Sequence, residues 1–199
     1  MSSKLPSDIW DQFVGGDYGS FKKLFHGYYD GLYGYGLKLS NDHNLVKDTI
    51  QNLFITIWER RDDLDHIESP NVYLYVSLRR EIFKKRKKRD RRREIAEEAE
   101  DDFHIHFGTE ELMIKNELKK EQKEKLESAL SQLSNKEKEV LYLHYYNGMS
   151  YSEIEEILSI NRQSVRNYMY RAMETLRAVL DLGVLRLVIS VLVLFLGLL

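Results

Sequence analysis

The chain has 199 residues, 43% hydrophobic and 31% charged, with a formal net charge of −2. Absence of cysteine excludes disulfides and thiolate metal sites and suits a reducing cytoplasm; the leading residues MSSKLPSDIW hold no apolar run, so no signal peptide is expected. The near-neutral total argues against a uniformly basic nucleic-acid binder, yet the charge is segregated: nine of the ten residues from Lys84 to Arg93 are basic, whereas Glu94 to Glu111 holds eight acids and no Lys or Arg.

A chain of this length forms one large domain or two small ones, and pattern decides between them. Ser7 and Asp8 predict the start of a first helix holding Ile9, Trp10 and Phe13, ended by Gly15-Gly16-Asp17. Tyr18 to Leu39 follows as an amphipathic helix, with Phe21, Leu24, Phe25, Tyr28, Leu32, Tyr35 and Leu39 at three- and four-residue steps. Gly31, Gly34 and Gly36 interrupt it. Each interior glycine costs about 1 kcal/mol relative to alanine, which predicts a bent or locally weak helix. The GLYGYG run has neither the preceding strand nor the following Lys-Ser/Thr of a phosphate loop.

Asp42 begins a third helix, its buried stripe Val46, Ile50, Leu53, Phe54, Ile57 and Trp58 running up to Arg61, with Asp48, Gln51 and Asn52 opposite. A polar loop, Asp62 to Ser69, leads to Pro70, which suits the first turn of a helix. That helix, Asn71 to about Arg93, buries Leu74, Leu78 and Ile82 and shows Arg79, Arg80, Lys84, Arg86 and Lys87, an electrostatic footprint for a phosphate backbone. Glu94 to about Lys115 reads as a flexible acidic linker. His104 and His106 within it share a side only on a strand, a weak signal for a metal.

Asn116 to Leu133 is predicted helical, with Leu118, Leu126, Ala129, Leu130 and Leu133 apolar. Ser134 and Glu137 form a capping box, and Val140, Leu141, Leu143 and Tyr145 carry the next helix to the Asn147-Gly148 turn. Ser150 and Glu153 repeat the box before Ile154, Ile157 and Leu158. Ser159-Ile160-Asn161 then breaks the stripe, with Asn161 in a favoured N-cap position. The last helix predicts a buried set of Val165, Met169, Ala172, Met173 and Leu176. Its other face carries Arg162, Gln163, Arg166, Asn167, Tyr170 and Arg171. Arg, Gln and Asn read base edges bidentately, and Arg also holds phosphates. Two helices, a short turn and this face describe a helix-turn-helix suited to a major groove; an ordinary helical hairpin with a solvated face is the plainer alternative. The fold class is therefore all-α, as two small helical domains joined by a charged linker.

The stretches FKKLFHGYYDGLYGYGLKL, DTIQNLFITIWERR and SPNVYLYVSLRREIFKKRKK resemble the first domain of extracytoplasmic-function sigma factors of bacterial RNA polymerase, and SQLSNKEKEVLYLHYYNGMSYSEIEEILSINRQSVRNYMYRAMETLR is similar to that family's second domain. The resemblance covers nearly all of residues 5 to 178. It implies a region 2-like domain over 5–93 for core polymerase and the minus-10 element, a linker over 94–115, and a region 4-like domain over 116–179 for the minus-35 element. The family's polymerase-docking pattern falls on Asp48, Gln51, Asn52 and Phe54, where Asn52 replaces the usual acid; Trp58 follows one turn on. The loop Asp62 to Ser69 matches the family's specificity loop for a base flipped from the melting minus-10 element. Asp63, Asp65, His66 and Glu68 supply acceptors there, although loop solubility explains the same composition. Arg79, Arg80 and Lys84 correspond to positions that hold promoter DNA. Arg162, Gln163, Ser164, Arg166, Asn167, Tyr170 and Arg171 correspond to the minus-35 reader. The acidic linker matches the segment that runs through the polymerase RNA-exit path. Implied partners are core RNA polymerase, double-stranded and melted promoter DNA and an anti-sigma factor, with no cofactor, no metal and no catalysis.

The tail, VLDLGVLRLVISVLVLFLGLL, is the least family-like part. Its uncharged run Leu187 to Leu199 reaches about 20 Å as a helix, short of the roughly 30 Å hydrocarbon core. Residues 182–199 come closer to spanning it only if Arg186 snorkels. Packing against protein, peripheral membrane attachment of a cytoplasmic protein, and an aggregation-prone end are the readings open to it. A second function class also stays open, an autonomous helix-turn-helix regulator, membrane-tethered or not. The discriminator is the first domain, since a sensor needs no polymerase-facing trio followed by a basic helix.

Overall fold

The computed structural model describes residues 6–64, 67–92 and 120–179. The predicted linker, Asp65, His66, His104, His106, Leu118 and the tail from residue 180 lie outside them. Among the described residues the chain is all-α and divides into two compact units, one holding the helices up to Arg92 together with Glu156–Leu158 and the other the remaining residues from Lys120.

In the first unit α1 (Ser7–Val14), α2 (Tyr18–Leu39), α3 (His43–Glu59) and α4 (Pro70–Arg92) form a bundle. Local chemistry starts the helices where the caps predict. Asp17 accepts from the Ser20 amide at 2.6 Å and Asp42 from the Leu45 amide at 3.0 Å, each satisfying a first-turn donor. The core is Trp10, Phe13, Leu24, Tyr28, Leu32, Tyr35, Val46, Ile50, Phe54, Ile57, Leu74, Tyr75, Leu78 and Ile82, all at most 3% exposed. Truncating one such leucine to alanine costs about 2–5 kcal/mol through lost transfer energy and the cavity left behind.

The expected weak point in α2 is instead a tight contact. The helix runs unbroken over 22 residues, and a Cβ on Gly36 would lie 2.6 Å from Val46 Cγ1 and 3.4 Å from Ile82 Cδ1. Glycine is there because α3 and α4 come close, and the helix tolerates its poor propensity because the contact depends on it. The third helix ends at Glu59, earlier than Arg61, and Arg61–Asp63 forms a single 3-10 turn. Phe21, Phe25 and Trp58, predicted for the buried stripes, are half-buried, with Phe21 tilted against Trp58 at 5.0 Å and Phe25 meeting Phe54 edge-on at 5.0 Å.

From Lys120 onward the helices are α5 (Lys120–Ser131), α6 (Asn135–Leu141), α7 (Tyr151–Leu158) and α8 (Arg162–Val179), all in the second unit but for Glu156–Leu158. Both capping boxes form. The Ser134 amide donates to Glu137 Oε2 at 2.8 Å while its hydroxyl accepts from the Glu137 amide at 3.3 Å, and Ser150 and Glu153 do the same at 2.8 and 3.3 Å. After α6 the chain widens into a π-helical turn, Tyr142–Tyr146, which periodicity does not anticipate. Its end is set by Gly148 at φ 66 and by the Met149 amide donating to the Leu143 carbonyl at 3.0 Å.

Gly36→Ala should overpack the α2–α3 contact by about 1–3 kcal/mol, against about 1 kcal/mol gained in helix propensity. The expected result is a lower urea midpoint with an unchanged slope. Adding Val46→Ala, which makes room for the new methyl, should cost less in the Gly36→Ala background than in the native one.

Candidate polymerase and nucleic-acid interfaces

On α3, at about 100° per residue, the buried Val46, Ile50, Leu53, Phe54 and Ile57 occupy one side, and Asp48, Gln51 and Asn52 stand exposed on the other. The trio is thus brought together on one open face. Phe54 is not part of it: at 2% exposure, against Phe21 and Phe25 of α2, it holds the helix in place from inside. The apolar member of that open face is Ile55, 46% exposed.

The loop after α3 is anchored on the side that is described. Trp10 Nε1 donates to the Leu64 carbonyl at 3.3 Å, and Leu64 is buried. Asp63 is exposed and meets the Arg60 guanidinium at 3.4 Å. Such an exposed pair is worth at most about 1 kcal/mol, so a DNA partner can replace it. Its companion in the prediction, His66, falls outside the described residues.

On α4 the basic run is divided by helical periodicity. Arg80 and Lys84 are exposed four residues apart on the face opposite Leu74, Leu78 and Ile82, with Lys87 one turn on; Lys84 also approaches Glu81 at 3.5 Å. Arg79 sits on a flank, its guanidinium 4.5 Å from the centroid of Phe83. Arg86, predicted to face solvent with them, instead donates to the Leu39 carbonyl at 2.8 Å. Lys85 donates to Thr49 Oγ1 at 2.9 Å and Arg89 to Asp42 Oδ2 at 3.2 Å. Lys85 and Arg86, half-buried, tie α4 to α3 and to the end of α2, and Arg89, itself exposed, adds a surface pair with the α2–α3 turn.

In the second unit α7 ends in a Schellman motif: Ser159 takes the left-handed conformation, φ 51, and the Ile160 amide donates to the Glu155 carbonyl at 3.2 Å. Asn161 then caps α8, its Oδ1 accepting from the Ser164 amide at 2.8 Å. Val165, Met169, Ala172 and Leu176 are buried, and Met173, predicted with them, is half-buried, with the Tyr145 hydroxyl 3.9 Å from its sulfur. Gln163, Asn167, Tyr170 and Arg171 stand on the outward face, Arg166 and Ser164 on its two flanks, and Arg162 is exposed at the helix start. Gln163 Nε2 donates to Asn167 Oδ1 at 3.0 Å, leaving Gln163 Oε1 to accept and Asn167 Nδ2 to donate outward. Sequence reasoning did not foresee Glu174 on this face, where the Tyr170 hydroxyl donates to its Oε1 at 2.8 Å. That hydrogen bond, and then the charge of Glu174, raise the Tyr170 phenol above its usual pKa.

Two helical units among the described residues, one closing on a basic helix and the other on a capped helix-turn-helix, define the class of a DNA-binding protein. Comparison with known proteins agrees with that class. Sigma-70 region 2 matches residues 24–92 and Sigma-70, region 4 matches residues 123–176. The ECF RNA polymerase sigma factor SigK of Mycobacterium bovis (strain BCG / Pasteur 1173P2) is 20% identical over 191 residues, covering 92% of this chain and 97% of the relative. SigK of Mycobacterium ulcerans (strain Agy99) is 22% identical over 157 residues, covering 75% and 80%. Among solved structures, CnrH, in complex with the cytosolic domain of CnrY, aligns with a TM-score of 0.56 at 20% identity over 86% of this chain and 94% of that one. The sigma factor RpoE in complex with the anti-sigma factor NepR from Bartonella quintana aligns at 0.55 and 21% over 81% and 97%. At such identities the two structures establish the fold.

The chain belongs to the extracytoplasmic-function family of RNA polymerase sigma factors. It is a promoter-specificity factor, which binds core RNA polymerase and directs initiation by recognising minus-35 and minus-10 elements. The autonomous-regulator reading has no use for a region 2 domain and is not favoured.

Glu174→Gln should bring the Tyr170 phenol down towards the usual tyrosine value. Carbon-13 NMR of labelled tyrosine, with Tyr170→Phe to assign the resonance, measures this; an unchanged titration would mean that Glu174 does not hold the hydroxyl.

Proposed function

We propose that the work is divided among three faces. The exposed Asp48, Gln51 and Asn52 of α3 dock on core polymerase, with Phe54 supporting them from within. Arg80 and Lys84, flanked by Arg79, hold the backbone of the minus-10 region, while Asp63 and His66 contact the melted minus-10 element. Extruding a base from that element costs a few kcal/mol, which stacking and edge hydrogen bonds must offset. The minus-35 element is read by α8: Gln163, Asn167 and Arg166 at base edges, and Arg162, Ser164, Tyr170 and Arg171 at the backbone and groove rim. The observation that carries this reading is that the region 2 match spans α3 and α4 whole while the region 4 match spans α7 and nearly all of α8.

The domain limits that fit are 5–93 and 116–179, joined by an acidic linker over 94–115. The chain does no covalent chemistry of its own; the phosphodiester reaction belongs to the polymerase. RpoE is solved with an anti-sigma factor, and we extend the same class of partner to this chain. It works in the cytoplasm, and its tail, residues 182–199, supplies a peripheral membrane contact or masks another surface. No helix among the described residues is long and apolar enough to cross a membrane.

Transcription in vitro with core polymerase, with and without this chain, on a candidate promoter is the test: initiation should require the chain. No initiation together with autonomous operator binding would return the regulator reading. On the same promoter Arg166→Ala should weaken minus-35 binding by about 1–3 kcal/mol in a sequence-selective way. Equal weakening on every sequence would make Arg166 a phosphate contact. Deletion after Val179 should alter solubility, membrane fractionation or promoter activity, and no change in all three would remove the tail from the mechanism.

A further inference from the structure

We infer that Ile55, one turn from Trp58 on α3, is the apolar anchor of the polymerase-docking face, taking an aliphatic side chain of the polymerase subunit that meets Asp48, Gln51 and Asn52. This rests on the docking role of that face proposed above.

Four large hydrophobic residues are exposed among the described residues: Tyr18 at 56%, Ile55 at 46%, Tyr146 at 37% and Tyr170 at 61%. Three are tyrosines, whose hydroxyls give them a reason to meet water. Ile55 has none. Nor does the helix need it, because a β-branched side chain on a solvent face adds no core contact and has below-average helix propensity. Its position is informative. Ile55 lies seven residues from Asp48, four from Gln51 and three from Asn52, so the three polar groups stand beside it within two turns, all on its N-terminal side.

The patch extends across two helices. Trp58, three residues on, is half-buried, and Tyr18 meets it edge-on with centroids 5.6 Å apart. Cations close its far side. Lys22 Nζ lies 5.0 Å from the Tyr18 centroid and the Arg61 guanidinium 5.0 Å from that of Trp58. The result is an apolar centre with hydrogen-bonding groups at one end and cations at the other, the arrangement of an interface whose centre excludes water and whose rim sets orientation. Polar groups alone exchange water contacts for protein contacts at little net gain, so a face made only of Asp48, Gln51 and Asn52 would orient the polymerase without holding it. Continuity with that trio identifies the occupant.

Equilibrium binding of the labelled full-length chain to core polymerase tests this, using Ile55→Ala, Ile55→Thr, Ile55→Asp and Asp48→Ala, with thermal melting and sedimentation of each variant alone. Ile55→Ala should weaken core binding about tenfold and Ile55→Asp more than that, with native melting because the site is exposed. Ile55→Thr, which keeps the branched shape but adds a hydroxyl, should fall between native and Ile55→Asp. Native affinity in Ile55→Ala and Ile55→Asp, alongside weakened Asp48→Ala, would overturn the anchor and leave the docking face standing. Native affinity in all variants, Asp48→Ala included, would overturn both. Loss of self-association on Ile55→Asp with core affinity unchanged would give the patch to a second copy of the chain and also overturn the inference.

Discussion

The close approach of α2 to α3 and α4 at Gly36 governs the first unit. A methyl group at that position would stand 2.6 Å from Val46 Cγ1, so the distance between the helices is set by the lack of a side chain. Val46 is stiff at χ1 and fully buried, and it cannot swing away. With α2 and α3 held this near, the α3 side carrying Val46, Ile50 and Phe54 is sealed, and Asp48, Gln51, Asn52 and Ile55 are left outside. The exposure of those four side chains is a consequence of that packing.

The basic run on α4 serves two ends because a helix turns. Lys85, Arg86 and Arg89 fall on the side facing α3 and the α2–α3 turn, where they satisfy the Leu39 carbonyl, the Thr49 hydroxyl and the Asp42 carboxylate. Arg80, Lys84 and Lys87 fall on the opposite side. One charged segment therefore fastens the turn between α2 and α3 and also leaves an exposed cationic face.

In the second unit local chemistry carries more of the architecture. The boxes at Ser134–Glu137 and Ser150–Glu153, the left-handed Ser159 and the Asn161 cap each bond groups no more than five residues apart. Between them they define where α6, α7 and α8 begin and where α7 ends, and the outward set from Gln163 to Arg171 follows from the start of α8. Within that set the neighbours matter as well: the Gln163–Asn167 hydrogen bond orients two amides against each other, and Glu174 engages the Tyr170 hydroxyl.

The sequence by itself determined the helices, their caps, the division into two units and the family, because those depend on groups a turn or less apart and on apolar periodicity. It also identified the Asp48 trio and the α8 face, which are the polar remainders of strongly amphipathic helices. Three things were decided only by the tertiary structure. Gly36 reads as a weakness in a helix until Val46 stands beside it. Phe54 and Ile55 are both apolar neighbours in one motif, and only packing against Phe21 and Phe25 tells which is inside. Arg86 and Lys84 look alike in a basic run, and only the Leu39 carbonyl, 47 residues away along the chain, claims one of them. In each case the deciding partner is remote in sequence, and no local pattern records where folding will bring it.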